Sequence, residues 1–315
     1  MCLKDPSLVF GSRRKIASMS RRLCLPVSWS RGMIDHRWQK FSLSDWLLWV
    51  GGAICGTFLL LAVLAPLGQA LGWIANPQEF LDFPIHAPPS PQHWFGTNRL
   101  GYDVFARTIF GAQAALQVVF VATLLSLLVG LPLGLLSGYQ GGWLDRGLLF
   151  FMDTLYTLPG LLLAATVAFV VGKGVLNGAI ALSVAYIPQY YRVVRNHTVS
   201  LKNEVFIEAA RALGASTPRI LHRYLLVNVL PSLPVLFTLN AADAILTLAG
   251  LGFLGLGLPP QVPEWGQDLR QALDGLSVGV WWTTLFPGLA MTLLVVGLSL
   301  LGEGLGERLD PRQLS

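Results

Sequence analysis

The sequence is poor in charged residues, which make up 12% of its 315 positions, against about 25% in typical soluble domains. Hydrophobic residues make up 53%, and the mean hydropathy is +0.58. The charges are also bunched, so that long stretches contain none at all. Buried helices of soluble proteins rarely run this long without a charge. The scarcity of charge therefore excludes an ordinary soluble domain and indicates an integral membrane protein.

A membrane-spanning helix needs about 20 mostly apolar residues. Six charge-poor stretches meet this requirement, so we predict an all-α membrane protein with six transmembrane helices in one domain over residues 46–315. The predicted spans lie near residues 46–68, 114–138, 148–171, 174–194, 224–250 and 280–302.

The sequence also lacks the motifs of nucleotide-binding and hydrolytic enzymes. It has no G-x-x-x-x-G-K-[ST] loop, no H-E-x-x-H, and no G-x-S-x-G with a plausible base. Its five histidines show no metal-ligand clustering, and its three cysteines indicate no disulfide framework. We therefore predict no catalytic, cofactor-binding or metal-binding residue in this chain, which argues against an intramembrane enzyme.

The basic residues are concentrated on one side of the predicted membrane. Cytoplasmic segments of membrane proteins carry an excess of Lys and Arg. Both termini and the loops after spans two and four together hold 18 of the 22 Lys and Arg residues. We predict that these segments are cytoplasmic, including the loop at 195–223. The net charge of +5 then reflects orientation in the membrane rather than a nucleic-acid-binding surface.

Residues 1–45 carry many of these basic residues. Positions 1–32 are rich in serine and lack the apolar core of a cleavable signal peptide. We predict that 1–45 is a mostly disordered cytoplasmic tail, with Met33 as an alternative start of translation.

The loop at 195–223 contains the polar, alanine-rich segment FIEAARALGAS (206–216) between two apolar spans. Asn203 is a suitable N-cap with Glu204 in the first turn, and Gly214 is a suitable C-terminal glycine. Thr217 and Pro218 then begin a second helix, which continues into span five. We predict two short helices, the second of which is fused to a span.

The first of these helices presents a small apolar face at helical spacing, formed by Val205, Ala209, Ala212 and Leu213. Small side chains let another backbone approach closely, so this face suits a groove in a cytoplasmic partner. The fused second helix could then transmit a movement of that partner into the membrane. The alternative is a helix that only lies on the membrane surface.

Asp243 lies well inside predicted span five, with Asn240 three residues before it. A charge in lipid costs at least about 2.5–3.5 kcal/mol by insertion scales. We therefore expect Asp243 and Asn240 to face a translocation path or a partner subunit. A structural hydrogen bond to another helix is the alternative.

Glycines and long loops give two further predictions. Four glycines recur every four residues in and after span two, which is typical of close helix packing in lipid; they are Gly130, Gly134, Gly138 and Gly142. Three more crowd the end of span five, where they could loosen the helix or admit a neighbour; they are Gly252, Gly255 and Gly257.

The loops 71–112 and 259–279 are predicted to form a rim for a binding protein, with interfacial anchoring by tryptophan as the alternative. Their charged and Trp residues are Trp94, Arg99, Asp103, Arg107, Glu264, Trp265 and Asp268.

The segment EAARALGASTPRILHRYLLVNVLP (208–231) resembles the EAA loop of ATP-binding-cassette (ABC) importer permeases. That pattern is E-A-A, three residues, G, nine residues, and I-x-L-P. The matching residues are Glu208, Ala209, Ala210, Gly214 and Leu226, while Tyr224 and Val227 depart from it.

Further blocks resemble the second permease of dipeptide and oligopeptide importers. They include HWFGTNRLGYDVFARTIFGAQAAL (93–116), GYQGGWLDR (138–146), LPGLLLA (158–164), LGFLGLGLPPQVPEWGQDL (251–269), and the WWTTLFPG and LDPR blocks around the last span. Leu248 stands where that family usually has an acidic residue. The blocks occur in the family's order over about residues 90–312.

The resemblance implies the transmembrane-domain fold of a type I ABC importer, in which the EAA loop is a coupling helix on an ATPase subunit. The residues implied in coupling are Glu204, Glu208, Ala209, Ala210, Gly214 and Ala215. The implied partners are a second permease in a heterodimer, two cytoplasmic ATPase subunits that bind ATP and Mg, and an extracytoplasmic binding protein. The implied location is the bacterial inner membrane, with membrane lipid around the spans.

The resemblance also implies di- or oligopeptides as the substrate, with nickel or another small solute as the alternative. A self-powered secondary transporter is an alternative of a different class. It should show inverted repeats and several intramembrane charges, and the sequence shows neither beyond Asp243.

Overall fold

The computed structural model describes residues 43–79 and 83–309, and the predicted tail lies outside these residues up to position 42. Within the described ranges the chain forms helices and no strand, apart from a single bridge between Thr97 and Asp103. The helices are α1 (Leu43–Ala70), α2 (Val104–Gln140), α3 (Gly142–Thr157), α4 (Gly160–Val171), α5 (Val175–Leu201), α6 (Val205–Ala212), α7 (Thr217–Arg219), α8 (Leu226–Val229), α9 (Leu233–Leu254), α10 (Trp265–Leu276) and α11 (Trp282–Leu309).

Four helical stretches of the described chain are long and apolar enough to cross a membrane. They are α1, α2, α11 and the continuous helix Thr217–Leu254, and they coincide with predicted spans one, two, six and five. Predicted span four corresponds to α5, which is not in this set and carries Arg192 and Arg195 in its C-terminal half. By length and composition, four stretches of the described chain qualify as spans, or five if α3 and α4 form one.

Predicted span three, near 148–171, corresponds to two helices rather than to one straight helix. Helices α3 and α4 are bent by 95° at a break between Thr157 and Gly160. Leu158 at the break is extended, with φ −77° and ψ 136°. The ring of the following proline, Pro159, disfavours a helical conformation at the residue before it. This steric restriction favours a break at Leu158.

Helices α2 and α5 pack closely through the glycines of α2. Cβ atoms on Gly130, Gly134 and Gly138 would each lie within 2.8 Å of an atom of α5. Small residues at this spacing let helix backbones approach each other in lipid, so the packing prediction is confirmed for these three. Gly142 has another role: nothing would lie within 4 Å of its Cβ, and its φ of +67° belongs to the turn into α3.

The same arrangement joins α1 to α11. Cβ atoms on Gly51, Gly297 and Gly304 would lie within 2.7 Å of the facing helix. The main core lies between α2, α4, α5, α9 and α11. It contains fully buried side chains such as Val118, Leu182 and Leu294.

Helix α10 folds back against the end of α9. The chain turns at Gly255, whose φ is +80°. A Cβ atom on Gly252 would overlap the carboxylate of Glu264, and one on Gly266 would overlap the backbone of Ala249. Glycines at this crossing therefore admit a neighbouring helix, which is one of the two alternatives left open by the sequence.

Candidate functional site

The alanine-rich segment forms the short helix α6, whose C-terminal end is capped by its own backbone. Glu204 is the N-cap, one residue after the predicted Asn203, and its backbone is extended. Gly214 has a φ of +79°, as predicted for a C-terminal glycine. The N–H of Gly214 donates to the carbonyl of Arg211, and that of Ala215 donates to Ala210, both at 2.9 Å. These two bonds form a Schellman motif, which satisfies the last carbonyls of the helix.

One side of α6 is anchored in a small apolar cluster at the ends of the long helices. Ile207 is fully buried and Ala210 is 5% exposed. Ile207 belongs to a cluster with Leu135 of α2, Val194 of α5 and Leu225, at the base of the helix that leads into α9. Because α6 has only eight residues, this packing supplies most of its stability.

The other side of α6 is exposed and largely apolar. Val205 is 78% exposed and Leu213 is 89% exposed, and Ala209 lies on the same exposed side. A helix anchored by one face while it exposes a second apolar face to solvent is typical of a docking element. Glu204, Glu208 and Gly214 are exposed, Ala215 is half-buried, and Ala210 lies inside.

Two contacts tie this region to α2. The guanidinium of Arg211 lies 5.2 Å from the ring centroid of Tyr139. Lys202, at the end of α5, donates to the carbonyl of Gly138 at 2.8 Å. Both ends of α6 are therefore connected to the end of α2.

Sequence reasoning missed a polar cluster beside this anchor. Arg195 of α5 holds the carboxylate of Asp145 in α3 by two bonds, Nε to Oδ1 at 2.6 Å and Nη2 to Oδ2 at 2.7 Å. Ser137 donates to the same carboxylate at 2.5 Å and contacts the Tyr191 hydroxyl at 2.7 Å. Asp145 and Arg195 are 50 residues apart, and no local pattern pairs them. The cluster fixes α2, α3 and α5 to one another.

The second predicted helix begins where expected and continues into α9. Its N-cap is Ser216, one residue before the predicted Thr217, and Pro218 lies in its first turn. The helix continues to Leu254 through a wider π-type turn at Ile220–Leu225 and a tighter turn at Leu230–Ser232.

Asp243 and Asn240 lie on different sides of α9. Asp243 is exposed in the single chain, and its Oδ2 accepts a hydrogen bond from the Tyr186 hydroxyl at 2.7 Å. Asn240 is 1% exposed, beside Tyr190 of α5. A role of either residue in a translocation path stays a prediction, and the burial of Asn240 favours packing for that residue.

In the loops at the opposite end, most of the charged and Trp side chains predicted for the rim are buried. The indole N–H of Trp265 is buried and donates to the carbonyl of Thr108 at 3.0 Å, so Trp265 is not an interfacial anchor. Nε of Arg107 donates to Oδ1 of Asp268 at 2.7 Å, and both side chains are buried. Asp103 is the buried N-cap of α2. Trp94 and Arg99 remain exposed.

Burial changes the ionisation of the two acids at the start of α10. It raises the pKa of Glu264 to about 8, although the N–H groups of Gly266 and Gln267 favour the charged form. Burial also raises the pKa of Asp268, against the opposing effect of the Arg107 guanidinium. Within the described ranges, no group of three His, Cys, Asp or Glu side chains could hold a metal ion.

Three comparisons place this architecture among known proteins. Residues 130–315 match the family of binding-protein-dependent transport system inner membrane components. The chain is 38% identical over 270 residues to the dipeptide transport system permease protein DppC of Alkalihalophilus pseudofirmus, which covers 84% of this chain and 86% of the relative. It is 40% identical over 257 residues to the glutathione transport system permease protein GsiD of Escherichia coli O157:H7, covering 81% and 84%.

A solved structure shows the same fold. The chain superimposes on the MetNI methionine ABC transporter in an inward facing conformation with a TM-score of 0.52 and 22% sequence identity. The match covers 67% of this chain and 96% of the other chain.

Proposed function

We infer the function of this chain from its family: it belongs to the binding-protein-dependent transport system inner membrane components, and it is a non-catalytic permease subunit of an ABC importer. Importers of this family work with ATPase subunits and a substrate-binding protein. This membership excludes the secondary transporter and the intramembrane enzyme that the sequence left as alternatives.

We propose that the chain imports di- and oligopeptides. The support comes from two groups of relatives, which are named for dipeptide and for glutathione transport. Glutathione is itself a tripeptide, so both names describe short peptides with free carboxylates. ATP and Mg are then bound by the partner ATPases, and the binding protein delivers the peptide.

We propose further that α6 is the coupling helix. The observation that carries this assignment is its exposed apolar side, with Val205 78% and Leu213 89% exposed, opposite the buried Ile207. Docked in an ATPase subunit, α6 would move with it. The apolar cluster around Ile207 and the bond from Lys202 to Gly138 would pass that movement to α2, α5 and the helix leading into α9.

The proposed orientation places both termini and α6 in the cytoplasm, in agreement with the distribution of Lys and Arg. We also propose a second permease as the partner in a heterodimer. The face of α9 that carries Asp243 also exposes Leu239, Leu246 and Phe253. A carboxylate on such a face is unfavourable in lipid and more favourable against a partner subunit or a water-filled path.

Peptide import is tested by reconstituting the permease pair, the ATPases and the binding protein in vesicles. We expect ATP-dependent uptake of labelled dialanine or glutathione. A binding protein that carries only nickel or another solute, together with no peptide uptake, would contradict the substrate assignment.

Coupling is tested by Ala209→Trp, which adds bulk to the exposed side of α6 without touching the buried side. We expect normal insertion, but at least tenfold less binding-protein-stimulated ATP hydrolysis. Ala209→Ser is the matched control and should behave as the wild type. If Ala209→Trp retains normal stimulated hydrolysis and uptake, α6 is not the docking element.

A further inference from the structure

A polar cleft of about 490 Å³ lies at the end of the molecule opposite α6. Four separate segments form it: the loop before α2 with Arg99, the turn between α4 and α5 with Lys173, the end of α9, and the side of α10 from Gln267 to Asp274. Its volume lies within the range of about 300–1,000 Å³ that is usual for small-molecule sites.

The cleft carries an excess of positive charge. Three basic side chains line it and one acid does, namely Asp274. Arg99 pairs with Asp274, and both are well exposed, so that pair is weak. Lys173 and Arg270 have no acidic partner within ion-pair distance in the described part of the chain.

The C-terminal end of α9 partly accounts for the presence of Arg270 in the cleft. Its guanidinium lies against Gly255, at the carbonyl end of α9. A helix end is equivalent to about half a negative charge, and its effect is confined to the last turn. It cannot neutralise three cations, so the cleft still favours an anionic group.

Two glutamines add unsatisfied polar groups to the same wall. Gln267 and Gln271 are one turn apart on α10 and both line the cleft. Within the described chain, the side-chain oxygen of each is buried and has no hydrogen-bond partner. Buried polar atoms are nearly always paired, so these two amides have hydrogen-bonding capacity that the described chain does not use.

We propose that this cleft receives the peptide released from the binding protein. The C-terminal carboxylate of the peptide contacts Lys173 and Arg270, and its backbone lies along the amide side chains of Gln267 and Gln271. This assignment rests on the proposed peptide import and on the outward orientation of this end. A cleft of this volume suits a small ligand, whereas a docked protein needs a broad surface of about 800 Å².

The test uses the complete reconstituted importer with the double variant Lys173→Gln/Arg270→Gln. Three quantities are measured: dialanine imported per ATP hydrolysed, the KM for loaded binding protein, and import of the C-terminal amide of dialanine at equal loading of the binding protein. The matched control is Lys173→Arg/Arg270→Lys, which keeps both charges. Lys173→Gln alone serves as a second variant, because the side chain of Lys173 is exposed and its loss breaks no ion pair in the described chain.

We expect the double variant to import about tenfold less dialanine per ATP, since charge-assisted hydrogen bonds are lost. Lys173→Gln alone should lose less dialanine import per ATP than the double variant. The charge-preserving control should import within about twofold of the wild type. The KM for loaded binding protein should be the same in all variants. Import of the amide should be the same in the wild type and the double variant.

Three results would overturn the assignment. Unchanged dialanine import per ATP would show that the cations do not contact the peptide. Equal losses for dialanine and its amide would indicate a structural role, and a raised KM would indicate docking of the binding protein. A wild-type complex that imports no peptide would refute the proposed function and this inference together, whereas normal peptide import by the double variant would refute this inference alone.

Discussion

Ile207 is the side chain that holds α6 against the long helices, and its truncation to alanine should release that helix. Ile207 is fully buried in the cluster that contains Leu135 and Val194. Truncating a buried Ile to Ala typically costs about 2–5 kcal/mol. Within α6 the remaining anchors are Ala210, which is already small, and the contact of Arg211 with Tyr139, worth about 0.5–1 kcal/mol at an exposed site. The bond from Lys202 to Gly138 holds the end of α5, before α6 begins.

The loss therefore exceeds what the remaining contacts supply to α6. Isolated helices shorter than about 12–15 residues are marginal in water, and α6 has eight residues. A loss of about 3 kcal/mol corresponds to roughly a hundredfold more frequent local opening. Hydrogen exchange of the purified protein, followed at the amides of α6, measures this opening directly.

Val205→Ala is the matched control for Ile207→Ala. Val205 is in the same helix but 78% exposed, so its truncation should change local stability by less than about 0.5 kcal/mol. The reasoning is refuted if α6 amides in Ile207→Ala exchange within about threefold of the wild type. It is also refuted if protection falls equally in all helices, because the residue would then support the whole fold rather than α6.

Two further predictions concern helix packing and pH. Gly134→Val should push α2 away from α5 and destabilise the protein by about 1–3 kcal/mol, which thermal unfolding measures. Gly147→Ala is the control and should be tolerated, because no atom lies within 4 Å of a Cβ at that position. Equal melting temperatures for the two variants would contradict the prediction. The pKa of Glu264 is raised from 4.5 to about 8, so the folded state keeps a proton that the unfolded state has lost. Stability should therefore be fully present below pH 4.5 and fall as the pH rises towards 8, by at most about 1.4 kcal/mol per pH unit, and Glu264→Gln should flatten this fall. Melting temperatures measured across that range check it, and an identical slope in the variant would contradict the assignment.

Local sequence signals predicted the elements that depend on local physics. Gaps between charges located the long helices, and glycine at position 214 marked the end of α6 because its φ of +79° suits no other residue as well. The sequence shows that Pro159 could kink its span, but not that this proline, rather than another, does so. Pro132 and Pro188 also lie in predicted spans, yet they remain inside α2 and α5, which pack along each other. Whether proline breaks a helix therefore depended on neighbours that the sequence does not show.

Contacts between residues far apart in the chain could not be predicted from the sequence, for a different reason. Arg107 and Asp268 are 161 residues apart, and as separate charges in long loops they are typical of an exposed surface. In the structure they neutralise each other in the interior, because α10 folds back onto α2 and α9. A charged residue in a predicted loop therefore cannot be assigned to the surface from the sequence alone, because it can be buried against a distant partner of opposite charge.

The E-A-A motif also shows that the sequence does not tell which residues are buried, even within three consecutive positions. Successive positions on a helix point about 100° apart, so one motif cannot present both of its alanines to the same partner. Ala209 is exposed, whereas Ala210 is buried on the same side of α6 as Ile207. The two alanines are thus small for different reasons. Ala209 leaves room for the proposed ATPase partner, and Ala210 lets α6 approach its own subunit.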